Sequence, residues 1–172
     1  MNINTKSFEQ IFITECERRL FDESLPRLKK CLTLLTQEEI WFSPNSETVS
    51  VGNLILHLCG NVRQWIISGL GGAPDTRVRS KEFSEPGPIP TIELLERLEK
   101  TMDEARSVLH NLNPKTLLDK RYVQGFDESG ISILVHVMEH FSYHLGQIVY
   151  FVKSRKAIDL KFYRGIDLNK TG

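Results

Sequence analysis

His136, His140 and His144 recur at every fourth position in the run His136-Val137-Met138-Glu139-His140-Phe141-Ser142-Tyr143-His144-Leu145-Gly146-Gln147, and another imidazole, His57, lies in a separate apolar stretch. Residues four apart on a helix differ by about 40° in direction and about 6 Å in height, so two such imidazoles can reach one ion. His140 with His144 meets that condition, and so does His136 with His140. His136 and His144 stand about 80° apart and two turns distant, which would strain a site using all three. One pair is therefore the candidate ligand pair, with His57 as the candidate contribution of a second helix. Neutral imidazoles converging from two packed helices leave a divalent ion its full charge and open coordination positions, the arrangement found in metal sites that do chemistry. The competing reading is a ladder of core histidines, each satisfied by a carbonyl or a tyrosine.

Helices must position these rings. Phe8, Ile11, Phe12, Cys16, Leu20 and Phe21, then Leu25, Leu28, Cys31, Leu32 and Leu35, recur at helical spacing and predict helix from about Thr5 to Thr36. Pro26 interrupts it, giving a short lead-in segment followed by a main helix capped by Asp22 or Ser24. Gln37 to Glu47 reads as a connector that tucks Trp41 and Phe42 into the bundle. A second helix starts with Thr48 or Ser50 as cap and runs to the Gly69-Leu70-Gly71-Gly72 stop. On it, Asn53, His57, Asn61 and Gln64 form a polar stripe along an otherwise apolar rod. Ala73 to Pro90, with Pro86, Pro88 and Pro90, reads as a long loop between the second and third helices. Thr91 is the expected cap of a third helix ending near Asn111, with His110 at its exposed end. After a mixed stretch over Leu117 to Asp127, Ser129 or Asp127 opens a last helix so apolar that almost no solvent face is expected. Strand alternation is too weak to build a sheet, so the predicted fold is all-α, a bundle of four main helices in one domain over residues 1–172.

Composition narrows the function classes. The 22 basic and 22 acidic residues cancel, so no global field draws the chain to nucleic acid or to an anionic membrane. The N-terminal residues lack a signal-peptide pattern, and no window reaches the roughly 18 apolar residues of a membrane span. A cytoplasmic location is the expectation. Cys16, Cys31 and Cys59 form no Cys-x-x-Cys pair, which argues against disulfides and a thiolate zinc site. They read as buried thiols, and Cys59, about 200° around the helix from His57, points away from the proposed ion.

The segment His140-x-x-x-His144-x-Gly146-Gln147, with His57 inside Gly52-Asn53-Leu54-Ile55-Leu56-His57, resembles the DinB/YfiT-like family of metal-binding four-helix bundles over nearly the whole chain. Val51 to Leu58, Gly60 to Ile66, Gly71-Gly72-Ala73-Pro74-Asp75 and Arg77-x-Arg79-x-x-Glu82-Phe83 are similar to a bacterial branch of it. The resemblance implies a divalent ion, zinc or nickel, on His57, His140 and His144. It also implies a homodimer and, as in some relatives, thiol S-transferase or isomerase activity.

The leading expectation is a metal-dependent transferase that conjugates a low-molecular-weight thiol to a small electrophile. The alternatives are a metal-dependent hydrolase, for which no general acid is visible, and a metal-binding or dimerising module without turnover. Asn61 and Gln147 are candidates to orient a ligand or substrate, and His136 to support the ligands or carry a proton. Arg77 and Arg79 are either solvated loop charges or a clamp for a substrate carboxylate. Glu139 points about 100° from His140, and no catalytic carboxylate is evident.

Overall fold

Four helical rods account for the architecture of the computed structural model, which describes residues 6–171; the expected start at Thr5 lies outside them. The first rod is α1 (Phe8–Glu17), a π-helical segment (Arg18–Ser24) and α2 (Leu25–Leu34) in unbroken succession. Ser7 and Gln10 form a reciprocal capping box at its start. Contrary to the expected break, Ser24 is itself helical and caps nothing. Pro26 can neither donate to Asp22 nor share a normal turn with its carbonyl, and the wider π turn just before it takes up that mismatch.

The expected connector contains a single helical turn, α3 (Gln37–Ile40), with its own capping box from Thr36 to Glu39. Trp41 packs against the backbone of Gly52 and Gly87, where an added Cβ would lie 2.8 and 2.3 Å from the indole. Its Nε1 donates to the Ile89 carbonyl at 3.1 Å. Phe42 departs from expectation: it is surface-lying and stacks on Phe151.

The second rod is α4 (Val51–Val62) and a second π segment (Arg63–Ser68), capped as expected by Ser50 with Asn53. The expected loop after it holds a short helix, α5 (Arg79–Ser84), ahead of Pro86, Pro88 and Pro90. α6 (Thr91–Asn111) begins on Thr91 rather than being capped by it. The Thr91 backbone N–H and hydroxyl both donate to Gln37 Oε1. After a 3-10 turn (Pro114–Leu118), the mixed stretch resolves into an antiparallel hairpin, β1 (Lys120–Val123) and β2 (Phe126–Ser129), with Val123 opposite Phe126. Gln124 and Gly125 turn it with φ of 52° and 90°, the positive angles of a two-residue hairpin loop.

The last rod, α7 (Gly130–Lys156), is capped by Ser129, and Ala157 ends it with φ 51°. Its expected lack of a solvent face is corrected by the structure: Val135, Glu139, Tyr143 and Tyr150 lie along an exposed strip. Its opposite face, with Ile133, Val137, Phe141, Leu145, Ile148 and Val152, enters a core shared by all four rods. α4 sits at the centre, against α5, α6 and α7. No helix among the described residues is long and apolar enough to cross a membrane.

Candidate metal centre

α4 brings His57 into the bundle interior, and α7, packed against it, presents His140 and His144 from consecutive turns. His57 is buried, and its ring centroid lies 4.8 Å from that of His140 and 5.0 Å from that of His144. One nitrogen from each of the three rings falls within 4.8 Å of the others. The closest approach is His57 Nε2 to His140 Nε2, 2.9 Å.

The Nδ1 atoms decide what those nitrogens offer. His57 Nδ1 lies 2.8 Å from Glu82 Oε2, which accepts only, and 3.1 Å from Arg77 Nη2, which donates only. Because that Nη2 donates to Glu82 Oε2 at 2.9 Å, Nδ1–H donates to the nearer carboxylate and the His57 Nε2 carries a lone pair. His144 Nδ1 meets Gln147 Oε1 at 2.7 Å, which likewise leaves its Nε2 lone pair free. His140 Nδ1 is buried without a partner. Two Nε2 atoms at 2.9 Å need something between them, either a shared proton or a cation. A tetrahedral ion with bonds of about 2.0–2.1 Å sets its ligand nitrogens about 3.4 Å apart. His57 and His140 approach closer than that, and the three ligand atoms lie within 4.8 Å of one another, so the donor set fits a divalent ion once the rings adjust to bring the wider spacing inside the roughly 4.2 Å that two such bonds can span.

Electrostatics favour the neutral rings that a cation needs. Burial, reinforced by His144, His57 and His136, holds His140 far below its ordinary value, at about 3. Burial lowers His144 as well, against the opposing effect of the hydrogen bond it donates to Gln147. Burial alone would raise Glu82, but the bonds from Arg77 and His57 outweigh it and keep the carboxylate ionised below its usual range.

Glu82 is the residue that sequence reasoning missed. Its Oε1 accepts from Arg77 Nε at 2.7 Å, and Oε2 accepts from Arg77 Nη2 at 2.9 Å as well as from His57. Arg77 is thus neither a solvated loop charge nor a free substrate clamp: its side chain is buried, and its Nη1 is spent on Gln64 Oε1. Arg79 lies over the Phe83 ring, which in turn packs on His57. Two sequence signals pointed here: opposite charges five apart in the loop, and Gly60, a mid-helix glycine that marks close approach of another group. The polar stripe of α4 is largely the seat for this loop. Asn53 Nδ2 donates to the Glu82 and Glu85 carbonyls, and Gln64 Nε2 to Asp75.

Asn61 and His136 form a separate layer. Asn61 Nδ2 donates to His136 Nε2 at 3.1 Å, and the His136 ring stacks on Trp65 with centroids 3.8 Å apart. Trp65 Nε1 continues outward to Gln124 Oε1 at 2.9 Å. Asn61 Oδ1 remains buried and unpartnered. Of the thiols, Cys16 and Cys31 are buried and raised by burial to about 11; Cys59 is only partly buried, yet desolvation raises it to about 12. None is poised as a nucleophile. His110 is exposed at the end of α6, as expected.

A search of curated proteins finds no match to the chain. Among solved structures, it is similar to a DinB-like protein, YjoA, from Bacillus subtilis, with 16% identity and a TM-score of 0.63 over 89% of this chain and 96% of that one. The fold is therefore DinB-like, as the resemblance implied. The profile of a family described as a protein of unknown function, DUF1572, matches residues 8–165, and the chain belongs to that family.

Proposed function

We propose that this protein is a metal-dependent transferase joining a low-molecular-weight thiol to a small electrophile, with His57, His140 and His144 holding a divalent ion, zinc or nickel. The observation that carries this reading is the convergence of three imidazoles, from two helices, to within 4.8 Å of one another. An ion on three neutral ligands supplies Lewis acidity that brings a coordinated thiol toward deprotonation at neutral pH.

The protein's own groups support the rest. A cleft of about 520 Å³, lined by Phe42, Val51, Leu54, Gln147, Phe151 and Arg155 among others, has a volume that suits a small molecule, and Gln147 connects it to His144 through their 2.7 Å hydrogen bond. Leu54 and Gln147 stand about one turn from His57 and His144 along their helices. Arg155 lies over Phe42, 4.5 Å from its centroid, and takes the carboxylate-pairing role for which Arg77 is not free. In the reaction, the thiol loses its proton and sulfur bonds to the electrophilic carbon. That carbon then loses its leaving group, or an adjoining atom takes up the proton.

Hydrolysis is the weaker reading because it needs a free general acid, and Glu82 is committed to Arg77 and His57. The same proposal places the protein in the cytoplasm as a homodimer acting on small molecules, without nucleic-acid or membrane partners. Elemental analysis should find one ion per chain, and electrophile should disappear only when thiol is supplied. Thiol-independent loss would indicate hydrolysis. Complete inactivity of ion-loaded protein with bacterial thiols and generic electrophiles would overturn the transferase and leave a metal-binding module.

A further inference from the structure

Glu82 lies 25 residues from His57 in sequence, in the middle of a loop rich in proline and charge, yet both its oxygens are committed inside the protein. The geometry points to Glu82 as the positioning residue of the metal centre: it holds His57 in the one tautomer whose Nε2 lone pair faces His140. Arg77 fixes the carboxylate, and Gly60 leaves the space it occupies. The loop is then a component of the centre rather than a cover over it.

A neutral imidazole carries one N–H, and two groups compete at His57 Nδ1: the acceptor-only Glu82 Oε2 at 2.8 Å and the donor-only Arg77 Nη2 at 3.1 Å. That Nη2 is closer to Glu82 Oε2, at 2.9 Å, and donates there, so the nearer carboxylate places the proton on Nδ1. Arg77 makes that acceptor rigid. Its Nε and Nη2 grip both Glu82 oxygens, and its side chain is only 4% exposed. A lone carboxylate could not remain buried there without such a partner. Asn53 holds the backbone of the same segment through the Glu82 and Glu85 carbonyls. On the other side, Phe83 packs against the His57 ring with centroids 4.6 Å apart.

Gly60 supplies the independent observation. A Cβ at this position would lie 1.9 Å from Glu82 Oε1, 2.8 Å from its Cδ and 2.9 Å from Arg77 Nε. Glycine inside a helix is less stable than alanine, so what this one provides is room for the ion pair. His144 has no comparable support, because its Nδ1 partner, Gln147, is exposed.

A carboxamide cannot replace this carboxylate. In Glu82→Gln the terminal NH2 faces either Arg77 Nε or His57 Nδ1, donor against donor. The second variant, Gly60→Ala, leaves Glu82 chemically intact but places a methyl where its oxygen lies, and alanine is the better helix former, so the helix is not weakened.

The consequence for affinity rests on the metal reading above, whereas the tautomer does not, and two measurements on the full-length chain separate them. Nitrogen-15 spectra of the histidines in metal-free protein should show His57 protonated at Nδ1, and this signature should be lost or mixed in both variants. Zinc affinity, measured by chelator competition, should fall about 10- to 100-fold in both, the usual effect of losing a histidine's carboxylate partner. Arg63→Ala, which breaks only the surface pair with Glu104, should match the wild type. An unchanged His57 tautomer in both variants, or a changed tautomer with wild-type zinc affinity, overturns the proposal. Failure of the wild type to bind zinc would sink the metal reading, and the tautomer alone would then decide the role of Glu82.

Discussion

Between the second rod and α7, the layer containing His57, His140 and His144 lies beside the layer containing Asn61, Trp65 and His136, about one helical turn away. In the second layer an amide meets His136 across the interface and a buried indole lies flat on it. In the first, imidazole meets imidazole. Spacing alone does not separate them, because His136 stands to His140 as His140 stands to His144. What separates them is the partner on α4: a donor that uses up the lone pair at Asn61, and a second lone pair at His57. A histidine becomes a candidate ligand when its neighbour leaves it something to give.

The sharpest way to break this contrast is to remove one histidine from each layer. His57→Ala should lower metal affinity by more than the roughly 100-fold expected of a supporting residue, while His136→Ala should retain the ion. Equal retention of metal in both, measured by elemental analysis, would erase the distinction.

Stability should show the opposite ranking. Trp65 is 4% exposed and carries the stack on His136, so Trp65→Ala should cost the metal-free protein about 3–5 kcal/mol in denaturant unfolding. His57→Ala should cost less, since it relieves a crowded imidazole cluster as well as removing a bond to Glu82. A larger loss in His57→Ala would mean that the first layer is itself a structural element.

A smaller effect should appear in the pH dependence of the metal-free protein. Above the ordinary histidine value of 6.5, His140 is neutral whether the chain is folded or unfolded, and the group contributes nothing. Below it, the unfolded chain takes up a proton that the folded chain refuses until about 3. Stability should therefore fall as pH drops through that window. Glu82 adds to the loss at the acid end, because its stabilising charge disappears as pH falls through its lowered folded value. His140→Gln should flatten this profile more than His136→Gln, as followed by thermal unfolding across the range.

Much of this was readable from the chain before folding. Helical periodicity located the four rods, Ser50 and Ser129 were among the expected caps of two helices, and the four-residue spacing on α7 offered two histidine pairs, between which the family resemblance chose His140 and His144. His57 followed from its place in the polar stripe of α4. The π segments were hidden because widening a turn changes the hydrogen-bond partner without changing which residues are apolar. α5 was hidden because a helix of 6 residues is held by docking rather than by its own propensity. Glu82 and Arg77 looked like solvent charges for the same reason: their pairing exists only once the loop has folded onto Gly60. Cleft residues such as Phe42 and Arg155 are brought together by tertiary packing and share no local period.

The second π segment has a consequence for chain length. Between Arg63 and Ser68 the rod accommodates a surplus residue by lengthening its bonds from four positions to five, as where the Gly69 N–H donates to the Gln64 carbonyl. Trimming one position there would restore a regular spiral with both flanks still aligned, while rotating Trp65 and its neighbours relative to His136. The C-terminal end of this rod is thus where the loss of one residue would retune the aromatic wall while leaving the turn that bears His57 undisturbed.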